Sequence, residues 1–171
     1  MRRYTMYNQR SHCPPWIQWE KYVEGRKIFI DDFIEYNGYA YTTVFDRRVI
    51  HIVNVNGDDI RYEVSTNYRD NDFIVVEEYA DILNKEKELG WWYTSQSDVH
   101  VFLSEKTRVM VMLPITPTVK KIYEEIKSKC RVRYNSMWHK GGILKKASYR
   151  IIPLTKFNGL YTVYKKSKVI S

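Results

Sequence analysis

The sequence predicts one α/β domain with a central mixed β-sheet flanked by helices. Its 171 residues suit a single core and are few for two independent ones. A hydrophobic fraction of 44% and an aromatic fraction of 15% supply that core. The order of segments, helices first, then a sheet meander, a helix and mixed structure, also fits an α/β arrangement with a mixed sheet. We therefore expect an N-terminal extension with a short helix at 1–26, a core at 27–113 and a basic part with a helix and strands at 114–171.

Four segments have the apolar spacing or the end signals of helices. The first follows two prolines and the second closes at Asn37-Gly38. A third, charged segment stops at Gly90, and the fourth begins with Thr116 as N-cap and Pro117 at the first helical position. The predicted helices are residues 14–24, 27–36, 77–89 and the segment that starts at 116. We expect the helix at 27–36 to pack on the sheet.

The strands are predicted from β-rich runs between turn residues. They are residues 39–45, 49–55, 60–66, 72–76, 99–103, 108–113, 149–154 and 160–164. Asn56-Gly57 between the second and third runs indicates a hairpin, because both residues tolerate positive φ. If Gly57-Asp58 forms the turn, Ile52 pairs with Glu63.

Cysteine usage and apolar runs narrow the class of protein. With two cysteines, Cys13 and Cys130, a disulfide framework is not expected. A zinc site built from His12, Cys13, Cys130 and His139 is a minor alternative without the usual ligand spacing. No apolar run reaches the roughly 20 residues of a membrane span, and residues 1–10 lack the apolar block of a secretory signal. We expect a cytoplasmic protein, in the host cytoplasm if it is viral, with no membrane partner.

Positive charge is concentrated in the last third of the chain. Residues 120–171 hold 14 of the 28 Lys and Arg but 2 of the 20 acids. The cations are interleaved with aromatic residues, a pattern suited to phosphates and stacked bases. This predicts nucleic acid, with DNA first, as partner; a solvated face or an acidic protein surface are the alternatives. The predicted contact residues are Lys140, Lys145, Lys146, Arg150, Lys156, Lys165 and Lys166.

Three segments in order carry a resemblance to a known family. Residues 60–66 (IRYEVST), 71–77 (NDFIVVE) and 90–98 (GWWYTSQSD) resemble a branch of the PD-(D/E)XK nuclease superfamily, the small phage-like or Holliday-junction-resolvase-like enzymes. In that branch a Glu-x-Lys strand precedes an Asn-Phe strand ending in Glu, then a Gly-Trp-x-Tyr-Thr segment and an Asp that opens a strand. The resemblance implies a restriction-endonuclease-like core over residues 27–113.

The family's active site, carried over by this resemblance, is a carboxylate pair that binds Mg²⁺ and a lysine that activates water. Glu63 takes the Glu position, and Asp46 is the nearest upstream acid for the second metal ligand. Ser65 stands where the lysine belongs, on the same strand face as Glu63, and a hydroxyl supplies no cation. The other acids considered are Asp31, Asp32, Glu35 and Glu77, and another basic residue could replace the lysine. The strand-opening Asp98 is expected to make turn hydrogen bonds, and His51 and His100 receive no catalytic role.

Three functions follow as hypotheses. The first expected function is a nucleic-acid-binding protein with a nuclease-like fold and a degenerate metal site, such as a viral or mobile-element product that blocks a host defence nuclease. The second is an active Mg²⁺-dependent DNA endonuclease acting on branched or irregular DNA. The third is a non-enzymatic module that binds an acidic protein. The absence of P-loop, GxSxG and HExxH patterns leaves nucleotide hydrolysis, serine-ester chemistry and zinc proteolysis without support.

Overall fold

The protein has an α/β fold with a mixed sheet, as predicted, and a second, antiparallel sheet that was not predicted. A computed structural model describes residues 24–45, 48–83, 87–139 and 142–167. The helix expected at 14–24 lies outside the described residues except for its last position.

The described helices are short. Helix α1 runs α-helically over 24–29 and continues as a π-helical turn over Ile30–Glu35. Helix α2 is the single turn Trp91–Thr94, and α3 covers Pro117–Ile126, with 3₁₀ turns at Lys127–Lys129 and Leu154–Phe157. The Thr116 side chain accepts a hydrogen bond from the Val119 amide, which is the predicted N-cap. Within the described ranges, no helix is long and apolar enough to cross a membrane.

Ten strands of the described residues make up the two sheets. They are β1 Tyr41–Phe45, β2 Val49–Val55, β3 Asp58–Ser65, β4 Phe73–Asp81, β5 Glu88–Leu89, β6 Val99–Leu103, β7 Met110–Pro114, β8 Arg131–His139, β9 Gly142–Pro153 and β10 Thr162–Tyr164. The mixed sheet has the order β1-β2-β3-β6-β7-β10, with β3 and β6 parallel and the other pairs antiparallel. The antiparallel sheet has the order β5-β4-β9-β8.

The predicted β2-β3 hairpin is confirmed, but its predicted register is wrong. Asn56 and Gly57 form the turn with φ of 52° and 95°, and Val55 pairs with Asp58. Since the turn lies one residue earlier than Gly57-Asp58, Ile52 pairs with Arg61 and not with Glu63. A one-residue change in the turn is enough to move every cross-strand partner.

The helix predicted at 77–89 is wrong, because β4 continues through Glu77 and Glu78 to Asp81. The two glutamates suggested a solvated helix surface, yet both are buried. Glu78 pairs with Arg150 of β9 at 2.5 Å, a partner 72 residues away. Strand β8 and the first part of β9 were also not predicted, although residues 127–133 alternate Lys or Arg with other residues, the period of a strand.

The hydrophobic core lies on both faces of the mixed sheet. On one face α1 packs Ile28, Phe29, Phe33 and Ile34 against strand residues that include Val53 and Tyr62, so the prediction that this helix covers the sheet is confirmed. On the other face, α2, α3 and the antiparallel sheet contribute Trp92, Tyr123, Ile74 and Ile152. The polar residues that matter for function lie on this second side.

Candidate functional site

Glu63 lies on the face of the mixed sheet that α1 does not cover. Its neighbours in β3, Tyr62 and Val64, pack with α1, and alternation along the strand turns Glu63 to the opposite side. On the parallel strand β6 its register partner is His100. Glu63 is 7% exposed, so its carboxylate needs partners inside the protein.

Arg48 supplies the main partner and joins Glu63 to a second carboxylate. Its Nη1 donates to Glu63 Oε1 at 3.2 Å, and its Nη2 lies 3.8 Å from Glu77 Oε1. Nη2 also donates to Thr94 Oγ1 at 3.2 Å. The guanidinium therefore lies between two buried acids. Sequence reasoning considered Glu77 but missed Arg48, whose only signal was its place in a basic pair before β2.

Helix α2 holds Glu77 in place. The Trp91 amide donates to Glu77 Oε1 at 3.2 Å, and the Tyr149 hydroxyl donates to Oε2 at 3.4 Å. Gly90 is needed for this approach, because a Cβ there would lie 2.4 Å from the Glu77 carbonyl oxygen. The segment that resembles Gly-Trp-x-Tyr-Thr thus packs directly on the strand that carries Glu77.

Ser95 completes the surroundings of Glu63 and shapes its protonation. Its hydroxyl donates to Glu63 Oε2 at 2.5 Å and lies 2.9 Å from the Ser97 hydroxyl. Burial raises the pKa of Glu63 above its usual value, and the nearby Glu77 charge adds to the rise. Arg48 and Ser95 oppose that shift because both stabilise the carboxylate.

Ser65 shares the Glu63 face but contacts a different group. Its Oγ lies 2.6 Å from His100 Nε2, and the His100 ring stacks on Trp91 with centroids 3.7 Å apart. Burial lowers the pKa of His100 well below its usual range. Nδ1 of His100 has no hydrogen-bond partner among the described residues, so no acid orients this ring as in a catalytic triad.

The other acids considered from the sequence are elsewhere or outside the described residues. Asp46 is not among the described residues. Asp31, Asp32 and Glu35 belong to α1, which lies on the opposite face of the sheet from Glu63. Asp32 pairs with Arg108 at 2.8 Å. Asp98 accepts a hydrogen bond from the Arg61 amide at 2.8 Å, so it ties β3 to the start of β6. Among the described residues, Glu77 is therefore the only acid considered from the sequence that the structure brings close to Glu63.

The described donors around Glu63 do not fit a magnesium ion. The Oε1 atoms of Glu63 and Glu77 both face Arg48, and Glu63 Oε2 accepts from Ser95. In the described part of the chain, no group of three or more His, Cys, Asp and Glu side chains is arranged to hold a metal. Mg²⁺ requires several oxygen ligands, and here the nearest carboxylates already have a positively charged partner. The minor zinc alternative involves His12 and Cys13, which lie outside the described residues.

The residues predicted to contact nucleic acid differ in their partners and in their exposure. Lys145 pairs with Glu88 at 3.0 Å and Arg150 with the buried Glu78, which reduces the charge that either offers to a phosphate. Lys146 lies over the Tyr134 ring and Lys166 over the Tyr36 ring. Lys156 and Lys165 are exposed, and Lys140 lies outside the described residues.

Further cations that sequence reasoning did not single out lie beside Lys156 or along β8. Lys129, Arg131 and Arg133 are exposed, and none of them forms an ion pair within the described residues. Arg131 and Arg133 are two positions apart in β8, so their side chains leave the same face of the antiparallel sheet. The alternating charges of residues 127–133 were the signal that could have revealed this row.

Comparison of the chain with protein-family models, curated protein sequences and solved structures found no match.

Proposed function

We propose that this protein binds nucleic acid, with DNA as the first candidate, and does not cleave it. The observation that carries the proposal is the set of exposed cations without acid partners among the described residues: Lys129, Arg131, Arg133 and Lys156. Unpaired surface cations on one part of a protein attract phosphates, because binding releases the counterions condensed on the nucleic acid.

The charge of this part of the chain supports the proposal. Residues 120–171 carry 14 Lys and Arg against Glu124 and Glu125. One of these acids, Glu124, is bound by Lys127 at 2.7 Å, so it neutralises little of the remaining positive charge. A surface that only needed solubility would gain nothing from excluding acids so strongly.

Arg48 supports the non-cleaving part of the proposal. A divalent cation beside Glu63 and Glu77 would meet the Arg48 guanidinium, and like charges in a buried site repel strongly. The proposed nuclease-like ancestry has separate support, since the three segments of the resemblance meet at one place through Glu63, Glu77 and Thr94. We infer that the site of a former enzyme has become an internal ion pair.

Binding and cleavage are tested with the same labelled oligonucleotides. Fluorescence anisotropy with single-stranded and duplex DNA and RNA in EDTA, over a range of salt concentrations, measures binding. Gel analysis of linear and branched DNA in Mg²⁺ and Mn²⁺ measures cleavage. We expect salt-dependent binding in EDTA and intact DNA in both metals.

Two results would contradict the proposal. Absence of binding to every oligonucleotide at about 50 mM salt, where electrostatic binding is strong, would remove the nucleic-acid assignment. Metal-dependent cleavage that disappears in Glu63→Gln would restore the enzyme hypothesis. A Lys145→Ala variant is the matched control for binding, because Lys145 already has an acidic partner.

A further inference from the structure

A groove opens where the end of α3 meets the antiparallel sheet. It has a volume of about 490 Å³, within the range of small-molecule sites. Four apolar residues and three cations contribute to its lining. The apolar residues are Phe73, Ile126, Ile151 and Pro153, and the cations are Lys129, Arg131 and Lys156.

Strand register shows that Phe73 and Arg131 belong to the same outer face. Phe73 pairs with Pro153, and Ile151 pairs with both Val75 and Arg131 on the two neighbouring strands. Directly paired residues project to the same side of a sheet. The opposite face carries Ile74 and Ile152, both fully buried in the core. Phe73 is 45% exposed, so an aromatic ring remains available to a ligand in the groove.

The charge of the groove selects the kind of ligand. Glu125 and Cys130 complete the lining, so three cations face one carboxylate. None of the three cations forms an ion pair in the described part of the chain. An apolar lining with an exposed ring and a net positive charge matches a molecule that combines a flat unsaturated ring with a phosphate.

We propose that this groove binds an unpaired nucleotide of single-stranded nucleic acid. The base stacks on Phe73, and the flanking phosphates contact Lys129, Arg131 and Lys156. This inference rests on the proposed nucleic-acid binding and specifies its site and its substrate class. A duplex is a poorer ligand, because its bases are already stacked and present no free face to Phe73.

The outer face of the antiparallel sheet also suggests a path for the nucleic-acid strand beyond the groove. From Phe73 the outer face continues through Val75 to Glu77, and the paired residues on the other strands pass from Ile151 to Tyr149 and from Arg131 to Arg133. Tyr149 reaches Glu77 with its hydroxyl. A single strand that follows this row from the groove therefore meets Arg133, a further exposed cation.

The test is anisotropy with labelled oligo-dT and with a duplex of the same length, in EDTA. Phe73→Leu keeps an apolar side chain but removes the stacking surface, and Tyr134→Leu is the control for loss of an exposed aromatic outside the groove. We expect Phe73→Leu to weaken oligo-dT binding by about 5- to 100-fold and duplex binding much less. The triple variant of Lys129, Arg131 and Lys156 to Ala should lower the salt slope by about 2.

Alkylation of Cys130 gives a second readout that needs no substitution. The thiol is free and lines the groove, and burial raises its pKa, so it reacts slowly with iodoacetamide. Peptide mass spectrometry should show that oligo-dT slows alkylation of Cys130 several-fold, while an equal concentration of polyglutamate does not.

The outcomes separate this inference from the proposed function. If the wild-type protein binds no oligonucleotide, both are wrong. If it binds but Phe73→Leu and the triple variant bind like wild type and Cys130 is not protected, the groove is wrong and nucleic-acid binding stands. Equal loss of duplex and oligo-dT binding in Phe73→Leu would overturn the single-strand assignment. Protection of Cys130 by polyglutamate as strong as that by oligo-dT would point instead to an acidic protein.

Discussion

The Glu63 site and the groove differ in how their charged residues are paired. At the Glu63 site, acids and base are buried together, and Arg48 bridges Glu63 and Glu77. At the groove, Lys129, Arg131 and Lys156 are exposed beside apolar lining residues. These three cations have no acid partners among the described residues. The first arrangement satisfies its charges internally, whereas the second leaves them for a ligand. Charged residues of this protein thus divide into a group paired inside the fold and an exposed group that we propose binds nucleic acid.

This difference matters for interpreting the resemblance to nucleases. A carboxylate at the family's position is not enough for metal chemistry when a guanidinium lies against it. Glu63 stands at the position that the resemblance assigns to a metal ligand, but its partners are Arg48 and Ser95. The energetic role of the Arg48 pair is therefore predicted to lie in folding, and that of the groove cations in binding.

The largest effect is expected for Arg48→Ala. It leaves Glu63 and Glu77 buried without their shared cation, and removal of one member of a buried ion pair costs about 3–5 kcal/mol of unfolding free energy. Urea denaturation measures the loss, with the exposed Arg131→Ala as control, expected to change stability by less than about 0.5 kcal/mol. Mn²⁺ should stabilise Arg48→Ala more than wild type, since the guanidinium no longer opposes it. A loss below about 1 kcal/mol would contradict internal neutralisation.

His51, buried on the face of the mixed sheet that α1 covers, should make stability depend on pH, whereas the groove should not. Burial, with a smaller effect of the Arg26 charge, lowers the pKa of His51 to about 4. The unfolded chain binds the proton more readily, so stability is complete above the ordinary histidine pKa of about 6.5 and falls as pH drops from there towards about 4. The loss reaches up to about 3 kcal/mol. His51→Gln should make this part of the pH profile less steep, with the remaining slope due to His100, whose pKa burial also lowers. An unchanged profile would contradict the assignment.

Gly90→Ala tests the contact that positions Glu77. The new Cβ would lie 2.4 Å from the Glu77 carbonyl oxygen and 2.8 Å from its Cγ, so the backbone must shift, at a cost of about 1–3 kcal/mol. Gly57→Ala is the control for backbone conformation alone, because Gly57 has positive φ and open space around its Cα. Thermal unfolding compares the two variants. Tight oligonucleotide binding by a destabilised Gly90→Ala protein would show that the groove functions independently of the Glu63 site.

The smallest effect is expected for substitutions of single lysines, one in the groove and one outside it. Lys129→Ala should reduce the slope of log affinity against log salt by about 0.7 for single-stranded DNA. Lys145→Ala should change it less, because Glu88 already lies 3.0 Å from this ammonium. Anisotropy at four or more salt concentrations distinguishes them. Equal changes would show that the local ion pair does not decide which cations bind phosphate.

Local sequence signals predicted the elements whose formation depends on their own residues. The β2-β3 hairpin follows from Asn56-Gly57, since both residues adopt positive φ, and α3 follows from Thr116 and Pro117 at its start. The burial of α1 follows from its apolar stripe. In each case the determining interactions lie within a few residues, so they can be inferred without knowing the fold.

Features that depend on partners distant in sequence follow from the tertiary structure. Glu77 and Glu78 belong to a strand and not to a helix because Arg48, Arg150 and the Trp91 amide compensate their burial. The groove likewise requires Phe73 to lie near Lys129, Arg131 and Lys156, more than 50 positions later in the chain. The sequence alone shows where charge is abundant and where Glu63, the carboxylate of the nuclease resemblance, stands. Whether each charge meets an opposite charge or solvent depends on long-range strand pairing, because the strength of an ionic interaction is set by separation and burial.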